Sequence, residues 1–110
     1  MMTIAETGEF SRHCKNLLNE GERNALIDYL AEHPEAGDLI EGTGGIRKLR
    51  WAREGRGKSG GVRVIYYFHS QRMPLYLLTV YGKNQKANLT ANEKSALRGL
   101  VDLLKAANGL

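Results

Sequence analysis

Apolar residues recur at helical spacing in the first third of the chain and at strand spacing in its middle. Phe10, Cys14, Leu17 and Leu18 fall on one stripe, which predicts a helix over 9–18. Leu26, Ile27 and Leu30 form a second stripe and predict a helix over 19–33. Pro34 closes it, because the residue before a proline is biased away from αR. Ahead of both, residues 2–6 read as a short edge strand. Residues 35–45, rich in glycine and acids, read as a connector in which Leu39 and Ile40 tuck under the core.

The period then changes to two. Strands are expected over 46–51, 62–69 and 75–81. In the second, Val62, Val64, Tyr66 and Phe68 share one face, while Arg63, Ile65 and Tyr67 share the other. In the first, Leu49 and Trp51 lie opposite Lys48 and Arg50. With the apolar faces turned to the helices, Lys48, Arg50 and Arg63 project together from the opposite face of one sheet. Ser70 to Pro74 is of hairpin length and makes the second and third strands antiparallel neighbours. Residues 53–61 are too polar and glycine-rich for a strand and read as a mobile loop beside the basic face. A last helix opens at Thr90 with a capping box completed by Glu93. Leu97, Leu100, Val101 and Leu104 are its buried stripe, and Gly109 supplies a left-handed end.

Charge sharpens this picture. The 110 residues carry a net +4, yet the window from Ile46 to Arg63 holds seven basic residues against Glu54 alone. The positive charge is thus gathered on strand and glycine-rich segments, as expected for a polyanion partner. No apolar run is long enough to span a bilayer, and the N-terminus does not have the form of a secretory signal. The single Cys14 excludes an internal disulfide and reads as a small core residue. His13, His33 and His69 have no metal-ligand spacing. The expectation is one cytoplasmic domain over 1–110, with no metal, no cofactor and no membrane partner. Gly57-Lys58-Ser59 imitates the end of a P-loop. However, Ala52 stands where its first glycine belongs, and a strand follows where a helix is needed.

Cleaving RNA without a metal takes a base for the 2′-hydroxyl, an acid for the leaving 5′-oxygen, and cations for the charge on phosphorus. Arg63 and Arg50 are best placed for the last role, since a guanidinium matches two phosphate oxygens at once. Lys48 and Lys83 can exchange protons where neighbouring cations favour the neutral amine. Tyr81, at a strand end, can donate a proton or stack on a base. Arg47, Arg53, Arg56, Lys58 and Lys86 are candidates for phosphate contacts rather than for chemistry. Tyr66 reads as core, Glu93 as a cap, and His69 as a solvated hairpin residue with a general acid as the alternative. The same basic face also suits a non-catalytic RNA-binding or regulatory module.

The order G-T-G-G-I-R-K-L-R, G-K-S-G-G-V-R-V-I-Y-Y, L-L-T-V-Y-G-K-N and L-T-A-N-E, over roughly residues 35–104, resembles the HigB-like branch of the RelE toxins of type II toxin–antitoxin systems. The resemblance implies an α+β fold with two N-terminal helices, an antiparallel twisted sheet and a C-terminal helix. It also implies an endoribonuclease that cuts mRNA in the ribosomal A site. Its cognate antitoxin would be a helix-turn-helix protein, with DNA bound only through that partner. The family's phosphate-contacting arginine falls on Arg63, and the basic residues of the preceding strand on Lys48 and Arg50. Asn84 and Leu89 stand where some members carry an arginine and a catalytic tyrosine. That leaves Lys83, Lys86 or Tyr81 as substitutes.

Overall fold

A computed structural model describes the backbone of residues 1–53 and 57–110 and the side chains of 1–52 and 61–110. In chain order the elements are β1 (Ile4–Glu6), α1 (Gly8–Cys14), α2 (Glu20–Glu32), β2 (Asp38–Leu39), β3 (Ile46–Arg53), β4 (Gly57–Tyr67), β5 (Leu75–Gly82) and α3 (Ala91–Ala107). The strands form one sheet in the order β1-β5-β4-β3-β2. The three long strands are antiparallel, as expected. The sheet as a whole is mixed, because β1 runs parallel to β5 with Ile4 beside Leu75.

Each helix begins where a side chain satisfies free backbone donors. The Thr7 hydroxyl accepts from the Phe10 amide and caps α1. Asn19 and Glu22 close a reciprocal capping box on α2, and Thr90 and Glu93 close the expected one on α3. The first helix is shorter than its apolar stripe: regular structure stops at Cys14, and Leu17 and Leu18 reach the core from the turn that follows. Gly109, at φ +76°, takes the left-handed conformation just past α3.

The two faces of the sheet serve two packing layers. On one, Val62, Val64 and Tyr66 of β4 meet Phe10, Cys14, Leu26 and Leu30 from α1 and α2. The Tyr66 hydroxyl, buried here, accepts from the Gly37 amide at 2.8 Å. A Cβ on Gly37 would stand 2.8 Å from the Tyr66 ring, so the connector passes only as glycine. On the other face Ile46, Ile65, Tyr67 and Leu78 pack under Leu97 and Val101 of α3. A bulge in β5 between the partners of Ile65 and Tyr66 offsets the pairing by one residue and puts Leu78 and Thr79 on the same side.

Three expectations change. The strands of the β3–β4 hairpin run to Arg53 and from Gly57, so residues 57–61 belong to a strand and not to a mobile loop. Pairing with β3, in which Arg53 is the partner of Gly57, overrides the low strand propensity of glycine there; residues 54–56 lie outside the described residues. Leu39 does not tuck under the core: it sits on the two-residue edge strand β2 and is 62% exposed, while its neighbour Ile40 packs against the α3 layer. The basic face is also not the bare back of a sheet, because half of that face carries α3.

Candidate nucleic-acid interface

The α3 face is best read as rows crossing β3, β4 and β5. Ile46, Tyr67 and Tyr76 form the first row, and Lys48, Ile65 and Thr79 the second. Arg50, Arg63 and Tyr81 stand abreast in the third. Beyond it the Lys83 amide donates to the Gly61 carbonyl. The apolar first rows lie under α3. The cationic later rows lie beyond it and line an open groove of about 420 Å³ with Arg50, Arg63 and Lys83 on its walls.

Arg63 is the centre of this arrangement. It is only 8% exposed. Among the described residues its guanidinium makes one long hydrogen bond, 3.5 Å to the Val62 carbonyl, and no carboxylate lies within ion-pair distance. Its cross-strand partner is a second arginine, Arg50, on a face where directly opposed like charges repel. Burying a charge without an opposite one costs several kcal/mol in general, on the order of what breaking a buried ion pair costs. Two arginines in this geometry would be relieved of their repulsion by an anion placed between them.

Tyr81 flanks Arg63 on the other side. The phenol is 3% exposed, and among the described residues its hydroxyl has no hydrogen-bond partner. Burial pushes its pKa above the ordinary tyrosine value; nearby Arg63 opposes that shift and Glu93 adds to it. The group is therefore protonated at neutral pH and can donate a proton. Lys86 lies with Nζ 4.9 Å from the centre of the Tyr81 ring and forms an ion pair with Glu93. That contact, followed by the Thr90 backbone amide, holds the Glu93 carboxyl below the usual carboxylate range.

The remaining candidates divide by face. Lys48 shares the cationic side, one row nearer α3, and donates to Asn88 Oδ1 at 3.3 Å. Lys83 is exposed at the rim. Arg47 points to the opposite face, where it donates to the Gly37 and Glu35 carbonyls at 2.8 and 3.2 Å and pairs with Glu35. The structure thus ties Arg47 to the connector and does not bring it to the groove. The side chains of Arg53, Arg56 and Lys58 lie outside the described residues. His69 is exposed at the β4–β5 hairpin. Leu89 is buried in the same layer as Tyr81, so this position contributes packing and no chemistry. The importance of the phenol at Tyr81 could not be read from strand alternation, because it depends on the segment after β5 folding back to place Lys86 over the ring.

With this geometry in view, the comparisons decide the family. The model of the RelE toxin of the RelE/RelB toxin–antitoxin system matches residues 2–109. The chain belongs to the RelE toxin family. Among solved structures it is similar to a mutant of the E. coli toxin RelE in the free state, at 16% identity and a TM-score of 0.56. The match covers 87% of this chain and 96% of that one. This likeness extends to the mixed five-stranded sheet and its helices, and the RelE-like α+β architecture is the fold of the chain. Among the described residues no helix is long and apolar enough to cross a membrane.

Proposed function

We propose that this toxin is a ribosome-dependent mRNA endoribonuclease of the HigB-like branch, acting in the cytoplasm and cutting mRNA in the ribosomal A site. Arg63, buried beside Arg50 with no carboxylate among the described residues to neutralise it, carries the reading. The two guanidiniums hold the non-bridging oxygens of the scissile phosphate and stabilise the charge that develops as the 2′-oxygen attacks. Lys48 and Lys83 flank that phosphate and are the amines available to take the 2′-hydroxyl proton. Tyr81, protonated at neutral pH as any tyrosine is, is the candidate donor to the leaving 5′-oxygen. The ribosome orders the mRNA and supplies positioning that a shallow groove on a small protein does not. Arg53, Arg56 and Lys58 are the candidates for further phosphate contacts, whereas Lys86 is engaged by Glu93. The partner that silences the toxin is a helix-turn-helix antitoxin, through which alone the pair reaches DNA.

The test is a translation extract programmed with a defined mRNA, with naked RNA as the control. Cuts should fall within the reading frame, require ribosomes and leave 2′,3′-cyclic or 3′-phosphate ends. Ends bearing a 5′-phosphate would refute the mechanism, as would activity lost to a chelator while the ribosomes stay intact. Salt-sensitive RNA binding with no cleavage would favour a non-catalytic binding module using the same face.

A further inference from the structure

On the far side of Tyr81 from Arg63 lies a second concavity of about 420 Å³, between α1, β5 and the start of α3, and the cleavage chemistry gives it no task. Its chemistry contrasts with that of the groove. The ionisable groups lining the groove are cations. Here Glu9 and Glu93 both line the wall, and the one lysine, Lys86, is already paired with Glu93. A phosphate entering this space would meet an excess of carboxylate. A neutral group rich in hydrogen-bond donors would not.

The polar groups around it still have capacity to bind. The Asn16 side-chain amide makes no hydrogen bond among the described residues. Gln85 spends its oxygen on the Gly82 amide at 2.6 Å, which leaves its NH₂ free. The His13 ring is steadied by a 3.4 Å contact from Nδ1 to the Thr79 hydroxyl, so Nε2 remains available. Amides and carboxylates of this kind read base edges: an asparagine can bridge the N6 and N7 positions of adenine, and a carboxylate accepts from an exocyclic amino group.

We infer that this cavity is a nucleobase subsite for the nucleotide next to the scissile phosphate. It selects bases whose exocyclic amino group can donate to Glu9 or Asn16, and it disfavours uracil. The position suits that role. Arg63 and Tyr81 are direct cross-strand partners, so the cavity begins one strand, roughly 5 Å, beyond the phosphate site. Its volume is within the range of small-ligand sites, about 300–1,000 Å³. The inference rests on the endoribonuclease reading for the reason a nucleotide arrives there, but its test does not depend on cleavage.

Fully 2′-O-methylated trinucleotides lack the attacking hydroxyl and stay intact. Titrated into the full chain, trimers of adenosine should bind about tenfold more tightly than trimers of uridine. Asn16→Ala combined with Glu9→Gln, both at exposed positions that the core does not use, should bring the ratio close to one. Arg63→Met should weaken both trimers alike and keep the ratio. Equal affinity in the wild type, including failure of either trimer to bind, overturns the subsite, and so does a ratio that survives the double substitution. In-frame cuts without a base preference would leave the nuclease standing and remove the subsite. A preference without cuts would do the reverse.

Discussion

The two sides of the sheet are built from the same three strands but finish differently. The side facing α1 and α2 is apolar along its length, from Leu75 and Leu77 to Val62, Val64 and Val80, and helices close over it. The side facing α3 begins in the same way, with Ile46, Ile65 and Tyr67, then turns cationic one row later while the helix covering stops. The difference is a matter of where apolar residues cease along a strand, not of which face they occupy. A cationic groove can therefore share a face with a core, using the core as its rigid floor.

The sharpest way to break this comparison is to remove charge from one side and volume from the other. Arg63→Met keeps much of the side-chain bulk and removes the guanidinium. Cleavage in the translation extract should fall by about 100-fold or more, while thermal unfolding shows a melting temperature unchanged or raised, because an uncompensated buried charge has gone. A melting temperature several degrees lower would mean that Arg63 is structural. Leu26→Ala, on the closed side, should behave in the opposite sense. It should cost about 2–5 kcal/mol of stability in denaturant titration, with activity per folded molecule retained.

Smaller effects separate residues that strand alternation alone would group together. Gly37→Ala drives a methyl group into the Tyr66 ring and should destabilise by about 1–3 kcal/mol, as overpacking does. Arg47→Ala should leave cleavage close to wild type and lower stability, since this arginine serves the connector carbonyls; a loss of cleavage equal to that of Arg63→Met would return it to the groove. The smallest effect concerns Glu93. Its folded carboxyl is held below the ordinary range, so its contribution is present above the unfolded value and is lost as pH falls through the folded one. The stability difference between wild type and Glu93→Gln should shrink as pH falls from about 5 through the folded value, below which both side chains are neutral.

Much of this organisation is legible in the sequence because it depends on short-range rules. The stripe of Leu26, Ile27 and Leu30, the alternation through Val62 to Phe68 and the Thr90–Glu93 box each follow from local geometry. The Asn19–Glu22 box carries the same signal at the same spacing. What could not be read depends on partners distant in sequence. Residues 57–61 look like a loop until β3 offers them a ladder. The two residues of β2 carry no period of their own. Alternation grouped Arg63 with Ile65 and Tyr67 but could not tell that α3 would cover the latter two and stop short of the first. The Tyr81 phenol became notable only once burial had left it without a partner among the described residues.

The placement of β1 has a consequence for the timing of the toxin's appearance. The first strand to leave the ribosome docks alongside β5: the Thr7 hydroxyl donates to the Leu78 carbonyl 71 residues later, and Met2 and Phe10 belong to the same buried layer as Leu75 and Leu77. At synthesis rates of about 5–20 residues per second, the N-terminal segment waits roughly 4–14 s for its partner. Tyr81 and the end of β5 emerge only after that. Until β5 has emerged, the chain consequently lacks both the β1–β5 pairing and the Tyr81 end of the row that holds Arg50 and Arg63.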